Sequence, residues 1–441
     1  MNQRTSSFAT ERPASARPYR VLDSAGLIEV IADRPDLRAR LSGEPEDWRV
    51  RDVADGNLNA VYLVDGPDGG VCAKQGLPYV RVAKDSWPLD ANRTRFEAAY
   101  ARRVAPFVGR FAPTIHHFDS DLLLIVMEKL EPHIILRKGL IAGRRYPRVA
   151  ADVAEYVAQA SVRTSDLAAP FETRAADLAL FAQNLALQRI STDLIFLDPY
   201  AVSDRNRISP LLEPWGAALR RDLEIKSAAA RLRLAYLTKT QSLLHGDLHS
   251  GSIMVTPEET KVIDGEFAWV GPSGFDVGNF IAHLVIAWFA KPHQPGPSDA
   301  VAPGRAALEH DIVDFWRIFS RRFVEIAAEA TPKGDGLPES HFGDGVGAAR
   351  RAELIAAYLD DIRRDAIGFL AAKVIRRIVG FAQVADFLVI DDAEKRALAQ
   401  ARALAFARSL LVEPDRYRDI ARLVAALPKF DRAGLDPEAA L

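Results

Sequence analysis

The sequence predicts an α+β fold in two lobes: a small antiparallel β lobe with one main helix, then a large, mainly helical lobe that contains a short catalytic β-hairpin. Three observations carry this. Apolar and polar residues alternate between turn-forming clusters over 48–75, and long Ala- and Leu-rich segments of helical period follow Pro132. Within those segments sits an island, SIMVTPEETKVIDGEF, where two β-branched runs flank the turn residues Pro257 to Glu259. The boundaries expected are a disordered tail over 1–20, an N-terminal lobe over 21–130, a C-terminal lobe over 131–430 and a second tail over 431–441.

The composition supports globular lobes and narrows the partners. Of 441 residues, 49% are hydrophobic and 26% charged, which excludes a disordered or collagen-like chain. Lys plus Arg number 57 and Asp plus Glu 59, so no global charge points to nucleic acid or to an anionic membrane. Any phosphate chemistry must be local. The single cysteine, Cys72, rules out an intrachain disulfide framework and a Cys-based zinc site, and a reducing cytoplasm is the expected location. The N-terminal segment MNQRTSSFATERPASARPYR has no apolar core, so no secretory signal is expected. The longest apolar run, FIAHLVIAWFA from Phe280, carries His283 and stops at Lys291-Pro292; it reads as a buried helix.

Taken in order, Trp48 to Gln75 is cut at ADGN and DGPDGG, which gives a three-stranded antiparallel meander. A helix follows, with Asp90 as its N-cap and Phe96, Ala99, Tyr100, Arg103 and Val104 at helical spacing. Trp87-Pro88 falls on a loop before it. Leu122 to Met127 reads as a buried strand, and Glu128 to Glu131 as a hinge. Helices are expected over 148–166, 174–193 and 212–238, with surface loops at 292–306 and 331–347.

The chemistry concentrates at HGDLHSGSI, His245 to Ile253, and IDGEF, Ile263 to Phe267, with 17 positions between Asp247 and Asp264. Phosphoryl transfer needs one carboxylate to orient the attacking hydroxyl and another to hold the Mg²⁺ that bridges the nucleotide phosphates. Acids at the two ends of a hairpin supply both. An isolated loop Asp is ordinarily a cap or turn residue; the weight lies in the joint pattern with a Lys on an upstream third strand. That residue, Lys74, shares a strand face with Cys72 and would pair with the α/β phosphates, and Glu97, 23 positions on, would be its ion-pair partner. His245 and His249 bracket Asp247 in a spacing that fits a structured loop better than a zinc site. Asp276, in FDVG, is expected to hold that loop through backbone hydrogen bonds.

This combination resembles the protein-kinase-like fold in its aminoglycoside and choline kinase branch, whose metal-binding Asn is replaced here by Ser252. The Asp264-Gly265-Glu266 segment in place of Asp-Phe-Gly is similar to the S-methyl-5-thioribose kinase family. So are GPSGFDVGNFI, DGNLNAVYLV, AKQGLPYVRV, DSWPLDANRTRFEA, ILRKGL and VIRRIVG. Gly265 departs from that family, where a Pro is more usual. The resemblance implies an ATP- and Mg²⁺-dependent kinase that phosphorylates the anomeric 1-hydroxyl of 5-methylthioribose in methionine salvage, and it implies a homodimer. It makes Asp247 the catalytic residue and Asp264 and Glu266 the metal ligands. It implies nucleotide contacts at Asn57, Lys74, Glu97, Gly265 and the hinge residues Glu128, Lys129 and Leu130. It places Arg376, Arg377 and a flap containing Trp87 around the sugar, with Arg376 slightly favoured over Arg377. Two rivals stand beside it: a kinase of another 5-modified ribose or small hydroxylated metabolite, and a catalytically inactive nucleotide-binding module.

Overall fold

The computed structural model describes residues 18–53, 58–80, 84–330 and 334–437, with backbone alone at 84–87 and 330. The chain divides into two compact units, Met1–Arg95 with Thr114–Lys129, and Phe96–Pro113 with Leu130–Leu441. It leaves the first for the second between Lys129 and Leu130, inside the segment read as a hinge.

The first unit opens with two helices that the sequence reading did not foresee, α1 (Ser24–Ala32) and α2 (Pro35–Leu41). Asp23 caps α1 by accepting from the Gly26 amide, and Pro35 presets the first turn of α2. Strands β1 (Arg49–Asp52), β2 (Asn59–Asp65) and β3 (Gly70–Gly76) form the expected meander. A ribbon of β4 (Tyr79–Val80) and β5 (Lys84–Pro88) follows. Trp87-Pro88 therefore lies on a strand and not on a loop: 84–88 pairs antiparallel with 79–80 across an irregular register. Strands β6 (Ile115–Asp119) and β7 (Leu124–Glu128) complete an antiparallel sheet of order β1-β2-β3-β7-β6.

Alternation along this sheet decides what is core. Val64, Val71, Ala73, Leu124 and Val126 pack with Leu27, Val30, Ile31, Leu37 and Leu41 of the two helices. Gln75, also buried, accepts from the Leu22 amide at 2.8 Å and donates to the Arg20 and Leu122 carbonyls, tying residues 20–22 to the sheet.

The second unit takes in most of α3 (Arg93–Val108). Next come β8 (Ile134–Ile135), α4 (Leu136–Ile141), α5 (Val149–Arg163), α6 (Phe171–Phe181), α7 (Leu185–Phe196), α8 (Glu213–Arg221) and α9 (Leu223–Thr238). The helix expected over 174–193 is two, broken at Ala182–Asn184. That expected over 212–238 is also two, because the Asp222 carboxylate accepts from the Glu224 and Ile225 amides and starts a new helix. Short strands follow: β9 (Ser242–Leu244), β10 (Ile253–Val255), β11 (Thr260–Val262) and β12 (Trp269–Gly271).

The remainder is α10 (Gly274–Ala290), α11 (Val301–Ala330), α12 (Glu339–Phe342), α13 (Val346–Val379), α14 (Ala385–Leu388), α15 (Ala393–Val412) and α16 (Ile420–Ala426). The loop expected at 292–306 is shorter, since α11 starts at Val301. In the described part of 331–347, α12 occupies 339–342 and α13 starts at Val346. Every residue of α10 is buried, His283 included, as the apolar run required. Its Phe280, Ile281 and Val285 share one core with Phe315 and Phe319 of α11 and Leu370 and Val374 of α13.

The expected hairpin is present: β10 pairs with β11, Ile253 opposite Val262, and a turn closes from the Thr256 amide to the Glu259 carbonyl. Strand β8 adds a third, unforeseen strand to its other side. Strands β9 and β12 pair with Leu244 opposite Trp269, so the residues after one and before the other emerge side by side.

Candidate active site

The loop after β9 is built around Asp276. Its carboxylate, at the start of α10, accepts the His245 amide at 2.7 Å and the Gly246 amide at 3.0 Å, as the sequence reading expected. Burial pushes the Asp276 carboxyl up, while His245 and the two amides pull it back. Gly246 has φ +82°, and a Cβ there would lie 2.1 Å from the Phe267 carbonyl oxygen, so only glycine fits this turn. His245 bridges the two motifs: Nδ1 accepts the Asp247 amide, and Nε2 is 2.8 Å from the Ile263 carbonyl, which requires the proton on Nε2.

This loop presents Asp247, whose side chain is 19% exposed and so open to a ligand. Lys373 Nζ lies 2.6 Å from Oδ1, with Arg377 Nη2 at 3.7 Å and Arg376 Nη1 at 3.9 Å. His249 Nε2 lies 3.2 Å from Oδ2. The His249 tautomer follows from its other nitrogen: Nδ1 accepts the Gly251 and Ser252 amides, so Nε2 carries the proton and donates to Asp247. Burial lowers His249 to about 3, against the pull of Asp247, and keeps it neutral. Burial alone would raise the Asp247 carboxyl, but Lys373, His249 and Arg377 outweigh it and hold it well below the usual carboxylate range. The carboxylate is ionised and held at both oxygens.

The second motif follows β11. Asp264 takes the left-handed conformation, φ 71° and ψ 47°, which Asp tolerates better than most residues, and starts a single 3₁₀ turn over Gly265–Phe267. A Cβ on Gly265 would lie 2.5 Å from a ring carbon of Tyr100. Tyr100 is buried, 2.8 Å from the Tyr156 hydroxyl and edge-on to the His245 ring. The turn is held from behind by α7: Asn184 donates to the Glu266 and Ala268 carbonyls, and Gln188 to that of Phe267.

Glu97, Asp264 and Glu266 each bring a carboxylate oxygen within 4.8 Å of the others. Three hard oxygen donors suit Mg²⁺. Ser252, where the broader fold has Asn, is spent on the loop: its hydroxyl accepts the His249 amide and lies 3.0 Å from the Asp247 carbonyl.

In the first unit, Lys74 is buried on the central strand, opposite Val61 and Ile125, and not at an exposed edge. Glu128 closes β7 against the chain before β6, its amide donating to the Thr114 carbonyl and its carboxylate accepting the Thr114 amide; Lys129 pairs with Asp65. Leu130 is the first residue of the second unit after this crossing. Asn57 and the Trp87 side chain lie outside the described residues.

Arg376 and Arg377 are buried near the end of α13, and the Nε of each has no hydrogen-bond partner among the described residues. The sequence reading missed Lys373. The signal was there: 373, 376 and 377 are spaced i, i+3 and i+4, which puts all three side chains on one helix face. It also left the ILRKGL segment without a role. Arg137 of that segment lies 3.4 Å from both His249 Nδ1 and His283 Nδ1 and 3.3 Å from buried Asp386, so it braces the loop from behind.

Residues 49–310 match the phosphotransferase enzyme family. Methylthioribose kinase 2 of Oryza sativa subsp. japonica is 38% identical over 418 residues, 94% of this chain and 97% of the relative. Methylthioribose kinase 1 of the same plant is 39% identical, covering 94% and 96%. The methylthioribose kinase of Escherichia coli O45:K1 is 36% identical, covering 91% and 96%.

Proposed function

This chain belongs to the methylthioribose kinase family, and from that premise we propose that it transfers the γ-phosphoryl group of ATP to the anomeric 1-hydroxyl of 5-methylthioribose, a step of methionine salvage. The observation that carries the reading is Asp247: an ionised carboxylate, open to a ligand and surrounded by Lys373, Arg376 and Arg377. It is suited to accept a hydrogen bond from a hydroxyl and aim that oxygen for in-line attack.

Arg376 and Arg377 bind the sugar hydroxyls and balance charge on the transferring group; their buried Nε atoms, without a partner among the described residues, support this. Asp264 and Glu266 are the proposed Mg²⁺ ligands. Held by these two carboxylates, Mg²⁺ would supply positive charge to offset that of the ATP phosphates. Gly265 lets the turn bring both acids forward, and Glu97 stands with them on the nucleotide side. Lys74 positions the α/β phosphates, Asn57 touches ATP, and the main chain of Glu128, Lys129 and Leu130 meets the adenine. Trp87 belongs to a flap that excludes water from the sugar. A cytoplasmic homodimer is the proposed working form; among the described residues no helix is long and apolar enough to cross a membrane.

The test is ADP release with Mg-ATP and 5-methylthioribose, against 5-deoxyribose, ribose, choline and kanamycin. A preference for methylthioribose that Asp247→Asn abolishes supports the reading. Equal rates with 5-deoxyribose would assign the site to 5-modified riboses in general. No ADP release with any acceptor, despite tight Mg-ATP binding, would leave an inactive nucleotide-binding module.

A further inference from the structure

Lys373 is a fully buried charge at this site, with a side chain that is 0% exposed. Its neighbours on the same helix face, Arg376 and Arg377, repel it, and burial lowers its pKa to about 7. An apolar side chain would fill the position at far lower cost in desolvation. The geometry of Asp247 gives the ammonium a use. Oδ1 faces Lys373 and the two arginines, whereas Oδ2 has one donor among the described residues, the neutral Nε2–H of His249. One oxygen is anchored and the other keeps lone-pair capacity for a ligand.

We propose that Lys373 is a positioning residue for the phosphoryl-transfer step: it clamps Oδ1 of Asp247, fixes the plane of the carboxylate together with His249, and leaves Oδ2 to accept the attacking hydroxyl. This rests on the reading of Asp247 given above. Lys373 itself touches neither substrate nor nucleotide in this assignment. Its effect passes through the carboxylate, so removing it should slow turnover without weakening binding.

The experiment compares Lys373→Met, Lys373→Arg, Asp247→Asn and the double variant Asp247→Asn/Lys373→Met in steady-state assays with Mg-ATP and 5-methylthioribose. Lys373→Met should lower kcat by about 100-fold or more, with KM for both substrates within about 3-fold of wild type. In the Asp247→Asn background the same change should alter residual turnover by less than about 3-fold, because the group it positions is already disabled.

The acid limb of kcat/KM is the readout that a merely structural role would not move. Asp247 is faced by Lys373, Arg376 and Arg377 from α13 and by His249 from its own loop; Asp276 of α10 interacts with Lys373. Loss of the Lys373 charge should move that limb up by about one pH unit or more, and Lys373→Arg, which keeps the charge, should hold it near the wild-type position.

Wild-type kcat in Lys373→Met, or an equal loss with and without the Asp247 carboxylate, would overturn the inference. If Lys373→Met does not fold, Lys373→Arg decides: an acid limb displaced by about one pH unit or more overturns it. If Asp247→Asn turns over like wild type, the reading of Asp247 falls first. If Asp247→Asn is inactive and Lys373→Met is not, only the role of Lys373 falls.

Discussion

Adding one methyl group at Gly265 tests how tightly the turn between Asp264 and Glu266 is built. In Gly265→Ala the new Cβ would sit 2.5 Å from a Tyr100 ring carbon, about 1 Å inside an ordinary carbon–carbon contact. Tyr100 has little room to retreat, since it is buried, bonded to the Tyr156 hydroxyl and packed edge-on against His245. Overpacking of this kind costs about 1–3 kcal/mol. In a chain of 441 residues that is a Tm lower by about 1–3 °C. Whatever strain the ring does not absorb displaces the acids on either side of residue 265, so the Mg²⁺ concentration for half-maximal activity should rise. The decisive measurement is a double-mutant cycle with Tyr100→Val, which removes the ring. In that background Gly265→Ala should cost less than about 0.5 kcal/mol. An equal cost in both backgrounds, by urea or thermal denaturation, would refute the clash as the reason for glycine here.

Three further outcomes follow from the same geometry. Asp276→Ala leaves the buried His245 and Gly246 amides unpaired, at about 1–3 kcal/mol each, so both urea midpoint and kcat should fall, the latter by about 100-fold because Asp247 loses its loop. Asn184→Ala removes two donors from the turn that carries Glu266 and should raise KM for Mg-ATP by about 3- to 10-fold, with kcat less affected, in steady-state assays. His249 and His283 are buried neutral, with folded pKa values depressed below about 6.5, so the unfolded chain takes up protons first as pH falls. Stability should therefore decline between pH 7 and 5, and His283→Phe should reduce the difference between urea midpoints at pH 7.5 and 5.5.

The sequence was most legible where chemistry constrains neighbours along the chain. The pair HGD and DGE, the hairpin between them and the loop-holding Asp276 could all be read locally, because each obeys a short-range rule of turns, alternation or capping. Helix breaks were harder. Asp222 sits in an otherwise continuous helical pattern, and only its capping geometry shows that a new helix begins there. Lys373 was hidden for a different reason: a Lys among Ala and Val on a long helix reads as a solvated residue until the partner 126 positions away in sequence is seen beside it. Gly265 read as a departure from the family pattern; its reason, the Tyr100 ring, lies on another helix.

Helix α13 is 34 residues long, about 50 Å at 1.5 Å per residue, and its three buried cations all lie in its last two turns. A helix accumulates partial negative charge at that end. The backbone thus contributes a field that favours Arg376 and Arg377, in the last turn, in their charged forms before any ligand arrives. Because the dipole is set by folding, no reorientation is required during the reaction, and the electrostatic work of assembling like charges is done when the chain folds. Unwinding the last turn of α13, with every side chain around Asp247 intact, would remove this preset field.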